Sequence, residues 1–250
     1  MNRTISRAVE ILEMIAKDKN GMTLKEISDH LGIPKSSTFE IVQTLVQLKM
    51  ADTSFYNDKK YILGSKAFAL GMQYVNRSDV VNLGAFYLKN LAEKFRRTGF
   101  MGMLDDTKVV YVYKWQPANA KLTACELGTR QELYCTSLGK ALLAYSHPEL
   151  LMSIVDRIKF VAKTEHTIMD KETLLQELEL TKKRGYSIDN REVENHMMCF
   201  GAPIFDYTGK VIAAISISDL YDENLTDYDS VGLEVRAVAD LISSRLGYNK

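Results

Sequence analysis

The stretch Thr23–Met50, TLKEISDHLGIPKSSTFEIVQTLVQLKM, constrains this chain more than any other. Leu24, Ile27 and Leu31 repeat at helical spacing, and Gly32 follows as a stop. Pro34 or Lys35 opens a second helix, whose apolar stripe is Ile41, Val42, Leu45 and Leu48. Two short helices joined by a glycine-containing turn form a helix-turn-helix pattern, although any tight helix pair shares its outline. In the DNA-binding form the second helix enters the major groove and its first residues meet base edges. Those residues are Lys35, Ser36, Ser37, Phe39, Glu40 and Gln43, all off the apolar stripe.

The flanking segments extend the pattern. Ile5, Val9, Leu12, Ile15 and Ala16 predict a preceding helix that Asn20-Gly21 ends. After the pair, FYNDKKYIL (residues 55–63) reads as a hairpin with its turn at Asn57-Asp58 and Lys59 and Lys60 at or beside the tip. Alone, those lysines suit any solvated turn. After a helix-turn-helix they complete a wing whose charges neutralise phosphates.

Charge supports this only locally. The net charge is zero, with 32 basic and 32 acidic residues. Residues 1–75 hold ten Lys/Arg against eight Asp/Glu, so the remainder holds twenty-two against twenty-four. The three cysteines, Cys125, Cys135 and Cys199, are odd in number and far apart. With no apolar run long enough for a membrane and no signal-like N-terminus, a cytoplasmic protein with reduced thiols is expected.

Residues 65–79 read as a linker helix, mostly helical in pattern over Gly64–Arg77. A helix over Leu83–Phe95 follows. The period then changes: FMGML and VVYVYKW (109–115) alternate as strands around Asp105-Asp106. Helices are expected over 136–146, capped by Thr136 or Ser137, over Glu149–Ile158 and over Asp170–Arg184. SIDNREV, CFGAPIF (199–205) and VIAAISIS (211–218) read as strands, with a turn at Asp206–Gly209, and Thr226–Leu246 as a closing helix. The plan is α+β, with a winged helix-turn-helix at 1–64 and a mainly antiparallel α/β domain at 80–250.

Four segments of that second domain converge on a small-molecule site. Thr136–Gly139 opens a helix, whose free N–H groups attract anions. Asp189 lies on a strand. Cys199 and Gly201 share one strand face, and Ser216 and Ser218 share another. The serines interrupt an apolar run. Two hydroxyls, a thiol, a carboxylate and a helix N-terminus suit a small oxygenated acid. Serines that satisfy backbone groups and a cysteine acting as a small hydrophobe are the plainer alternative. Met101, Met103, Leu127 and Met197 are candidate apolar walls.

These segments together resemble the IclR family of bacterial transcription regulators over nearly the full length. The matching stretches are SRAVEILEMIA, LKEISDHLGIPKSST, the wing with YILG, TSLGKALLA, and RGYSIDNREVENHMMCFGAPIFDYTGKVIAAISIS. The resemblance implies a winged-helix DNA-binding domain, a linker helix and a GAF-like effector domain. It also implies a homodimer or homotetramer on a pseudo-palindromic double-stranded operator, and no cofactor. In relatives that sense glyoxylate or pyruvate, contacts come from the positions matching Ser137, Leu138, Asp189, Cys199, Ser216 and Ser218. Gly139 and Met197 join that expected site.

The sequence departs from the family pattern in places. Glu40 and Gln43 stand where the family usually carries arginines, which implies an operator read by cytosine N4 and adenine contacts. More of the phosphate binding then falls to Lys35, Lys59, Lys60, Arg3 and Arg7. Asn190-Arg191 partly replaces an acidic pair, and His196 replaces a common glycine. The expected function is a small-acid-responsive regulator, a repressor of a catabolic operon by first choice. An activator sensing an aromatic or sugar acid is the variant. A thiol-dependent enzyme using Cys199 needs a nearby base, and His196, three residues away on a strand, points to the other face. The four histidines and three cysteines show no CxxC or HxxxH spacing for a metal.

Overall fold

The computed structural model describes residues 2–76, 79–118, 120, 125–222 and 228–249. The chain divides into two compact units, Met1–Arg77 and Ser78–Lys250.

The first unit opens with α1 (Arg3–Lys17), where the Asn2 side chain accepts from the Thr4 and Ile5 N–H groups. β1 (Met22–Thr23) leads into α2 (Leu24–Leu31). Thr23 and Glu26 form a reciprocal capping box there, and Gly32 closes the helix in the left-handed region at φ 62°. α3 (Lys35–Gln47) is followed by β2 (Ala51–Ser54), β3 (Asn57–Leu63) and α4 (Ser65–Asn76). Ile11, Ile15, Ile27, Val42, Leu45, Ala51 and Tyr61 form one core beneath the three helices and the sheet. The sheet order is β1-β3-β2, so a third short strand joins the wing.

The wing's turn differs from expectation. Ser54 pairs with Asn57, which puts Phe55 and Tyr56 at the tip and Asn57-Asp58 on β3. Register decides this. Burying Ala51 and Tyr61 together fixes the pairing, and the turn falls where the paired strands run out. Lys59 and Lys60 therefore lie along β3, with Lys60 opposite Thr23 of β1. The expected linker corresponds to α4. It groups with the first unit, Arg77 lies outside the described residues, and Asp79 already belongs to α5 (Asp79–Phe95).

The second unit is a six-stranded antiparallel sheet in the order β6-β5-β4-β9-β8-β7. Its strands are β4 (Thr98–Asp105), β5 (Lys108–Trp115), β6 (Arg130–Glu132), β7 (Ser187–Asn190), β8 (Met197–Phe205) and β9 (Val211–Leu220). α5 and α9 (Tyr228–Arg245) pack on one face. α6 (Ser137–Ala144) and α8 (Lys171–Arg184) cover the other, with α7 (Pro148–Val155) between them in sequence. Thr226, the expected start of the closing helix, lies outside the described residues. Every residue of α6 is buried, and Leu138, Leu142 and Leu143 join Phe100, Val109, Leu174 and Leu178 in a core between helix and sheet. SIDNREV is strand only to Asn190. Arg191 then takes φ 62°, and the chain turns back toward the sheet.

Candidate functional site

Sheet register assembles the site of the second unit. Asp189 pairs with Cys199, Cys199 with Ser218, and Gly201 with Ser216 across β7, β8 and β9. Ser216 in turn faces Phe100 of β4. The start of α6 sits over this row. A Cβ added to Gly201 would lie 2.7 Å from the Ser137 carbonyl oxygen, so only glycine lets α6 approach this closely. The Ser187 hydroxyl fastens the contact by donating to the Ser137 carbonyl (2.6 Å) and the Gly201 carbonyl (3.1 Å).

Between α6 and the sheet lies a cavity of about 170 Å³. Its walls are Thr136 and Ser137, Asp189, Val193, Glu194 and Met197, Cys199, Ser216 and Ser218, Phe100, Tyr111, Cys125, Thr129 and Gln131. Six of the expected residues therefore line it: Ser137, Asp189, Met197, Cys199, Ser216 and Ser218. The Leu138 side chain does not, because it is buried in the core behind. Gly139 packs against Leu133, and its N–H is taken by Thr136 Oγ1 at 3.1 Å. The expected run of free N–H groups thus shrinks to those of Ser137 and Leu138, which a first helical turn leaves without intrahelical partners. Of the expected walls only Met197 is present. Met101 points to Gly84 of α5, Met103 lines a separate hollow beside Leu142, and Leu127 is 58% exposed.

Two hydroxyls face this cavity with nothing to bond. The Ser137 and Ser216 side chains are buried, and neither makes a hydrogen bond among the described residues. Ser218 Oγ is already held by Cys199 Sγ at 3.2 Å. Burial, reinforced by Asp189, pushes the Cys199 thiol well above its ordinary value. His196 is exposed and lies 3.4 Å from Glu194. A protonated thiol on a serine, without an activating imidazole, is the opposite of a prepared nucleophile.

The sequence reading missed a buried ion pair beneath the cavity. Lys140 of α6, 0% exposed, binds Glu192 Oε1, and Glu192 Oε2 is buried without a partner. The acid that follows Asp189 is thus Glu192, brought back by the turn at Arg191, and Asp189 Oδ1 accepts its N–H at 2.8 Å. Burial raises Asp189 from 3.8 to about 7, with Lys140 opposing and Glu192 adding. Burial also raises Glu192 against the pull of Lys140. A lysine inside TSLGKALLA gives no signal of burial except that every neighbour in that run is apolar or small.

In the first unit α3 begins at Pro34 with no side-chain cap, which leaves the N–H groups of Lys35, Ser36 and Ser37 open to a phosphate. Lys35, Ser36, Phe39 and Glu40 are exposed, and Ser37 and Gln43 are half-buried, while Thr38, Val42 and Leu45 face the core. Lys59 and Arg3 are exposed, and Lys60 and Arg7 half-buried. No helix among the described residues is long and apolar enough to cross a membrane.

Comparison with known proteins follows this division. Residues 4–53 match the family described as IclR helix-turn-helix domain, and residues 72–244 that described as Bacterial transcriptional regulator IclR C-terminal. The chain is 31% identical to the HTH-type transcriptional regulator BhcR of Paracoccus denitrificans (strain Pd 1222), over 86% of this chain and 77% of BhcR. It is 28% identical to the HTH-type transcriptional repressor AllR of Escherichia coli (strain K12), over 98% and 90%. The crystal structure of the Thermotoga maritima IclR superposes with a TM-score of 0.77 at 28% identity, covering 98% of this chain and 99% of that one.

Proposed function

Because this chain belongs to the IclR family of DNA-binding transcription regulators, we propose that it represses a catabolic operon and senses a small 2-oxo acid such as glyoxylate or pyruvate. The observation that carries the effector reading is that Ser137 and Ser216 both line one small cavity and their hydroxyls bond nothing among the described residues. A bound oxygen-rich molecule gives these hydroxyls the hydrogen-bond partners that the described protein groups do not supply. Size selects among acids. An apolar cavity of about 150 Å³ takes benzene, so about 170 Å³ suits a ligand of roughly six heavy atoms. Sugar acids and aromatic acids are larger. The name of AllR, a repressor, supports repression.

On the DNA side, Lys35, Ser36, Ser37, Phe39, Glu40 and Gln43 read a pseudo-palindromic operator as a homodimer or homotetramer. Lys59, Lys60, Arg3 and Arg7 hold phosphates. The effector acts by binding the DNA-competent and incompetent arrangements unequally. The test is thermal melting of the protein against a panel of 2-oxo, hydroxy and aromatic acids, with an operator gel shift alongside. A native-state ligand at a hundredfold excess over its dissociation constant adds about 2.7 kcal/mol. Glyoxylate or pyruvate should raise the melting temperature and change the gel shift. A response confined to aromatic acids would overturn the 2-oxo-acid assignment. Lys35→Glu should abolish the shift, and undiminished binding by that variant would remove α3 from the interface.

A further inference from the structure

The charge of the cavity is wrong for a bare anion. Its walls carry two acids, Asp189 and Glu194, and no lysine or arginine. The cation beneath them, Lys140, is committed to Glu192. The buried cluster therefore holds one positive group against two carboxyls. Asp189 is faced by Lys140 from α6, Glu192 from its own turn, Cys199 from β8, Tyr111 from β5 and Cys135 from the segment before α6. Glu194 stands at the rim, where it lies against His196. β9 contributes only the hydroxyls of Ser216 and Ser218 to the cavity. With both buried acids ionised, a carboxylate ligand would be a third negative charge beside a buried cation that is already paired, while Lys114, behind Phe100 and Cys125 of the outer wall, donates to the Cys125 carbonyl. Like charges brought together this way share a proton.

We propose that the cavity takes up its carboxylate ligand together with one proton, carried by the Asp189 carboxyl and donated to a ligand oxygen. Asp189 then selects for ligands that accept an O–H, and the Ser137 and Ser216 hydroxyls complete the contacts. This rests on the small-acid reading given above. Asp189 is prepared for the role. Its Oδ1 accepts the Glu192 N–H, which fixes the group in the wall, and burial holds its proton up to about 7. Below that pH the ligand meets a ready donor. Above it, binding must draw a proton from solvent.

Isothermal titration calorimetry of the full chain with pyruvate, and separately with glyoxylate, tests this at pH 5.5 and pH 8. Each titration is repeated in two buffers of different ionisation heat. The expected result is uptake of about one proton per ligand at pH 8 and almost none at pH 5.5. The dissociation constant should weaken toward tenfold per pH unit above about 7. Asp189→Asn should bind with a flat pH profile and no proton uptake. Binding at pH 8 without proton uptake overturns the proposal while leaving the acid reading intact. An unchanged pH profile in Asp189→Asn overturns it as well. If that variant does not fold, the proton count of the unaltered chain decides. Absence of heat with both acids at both pH values overturns the 2-oxo-acid reading and this proposal with it.

Discussion

Ser216 and Ser218 occupy one face of β9, yet they do different things. Ser218 accepts from the Cys199 thiol, whereas Ser216 bonds nothing among the described residues and looks into the cavity. Ser216→Ala should therefore leave the free protein within about 0.5 kcal/mol of its original stability and abolish ligand-induced stabilisation, as read by thermal melts with and without pyruvate. Asp189 makes a second residue-scale prediction. An acid whose folded pKa is raised from 3.8 to about 7 binds its proton more tightly in the fold than in the unfolded chain. It therefore costs stability progressively as pH climbs between those values. Asp189→Asn, neutral throughout, should gain on the unaltered chain from pH 4 to pH 7, by up to about 4 kcal/mol, in urea melts at stepped pH. The alternation of Ser216 with Ser218 and of Cys199 with Gly201 was legible because a strand's period is two. Lys140 and Glu192 were not, because the pairing depends on a turn at Arg191 that returns Glu192 under α6.

At the scale of elements, the site depends on how closely α6 approaches β8. Gly201→Ala would force a methyl to within 2.7 Å of the Ser137 carbonyl and 2.8 Å of Ser187 Oγ. It should cost about 1–3 kcal/mol and, by lifting the start of α6, remove ligand-induced stabilisation even where the protein still folds. Chemical denaturation and the acid panel read the two effects separately. The long elements were legible from periodicity and caps: Gly32 after α2, Asp170 before α8 and Gly185 after it all carry out the expected roles. β1 and β6, of two and three residues, are too short to show a period. The wing turn was misread because Asn57-Asp58 has turn chemistry, while the pairing that buries Ala51 and Tyr61 overrides it. The result is a tip of two aromatic rings, Phe55 and Tyr56, 95% and 96% exposed.

At the scale of the whole molecule, the helix-turn-helix and the proposed small-acid site belong to separately packed units, one ending at Arg77 and the other beginning at Ser78. Lesions should separate accordingly. Lys35→Glu should keep its full thermal response to pyruvate while losing the operator, and Ser216→Ala should keep the operator while losing the response. Gel shift and melting of both variants check this, and loss of both functions in either would contradict the division.

The cavity's walls span most of the second unit's sequence, from Phe100 to Ser218, whereas the first unit's sheet is finished at Leu63. During synthesis, then, the part that grips the operator can fold well before the part that senses exists. At about 5–20 residues per second, the ribosome needs on the order of ten seconds to move from one point to the other. For that interval the newborn regulator is deaf: no concentration of metabolite can speak to it until its last strand has emerged.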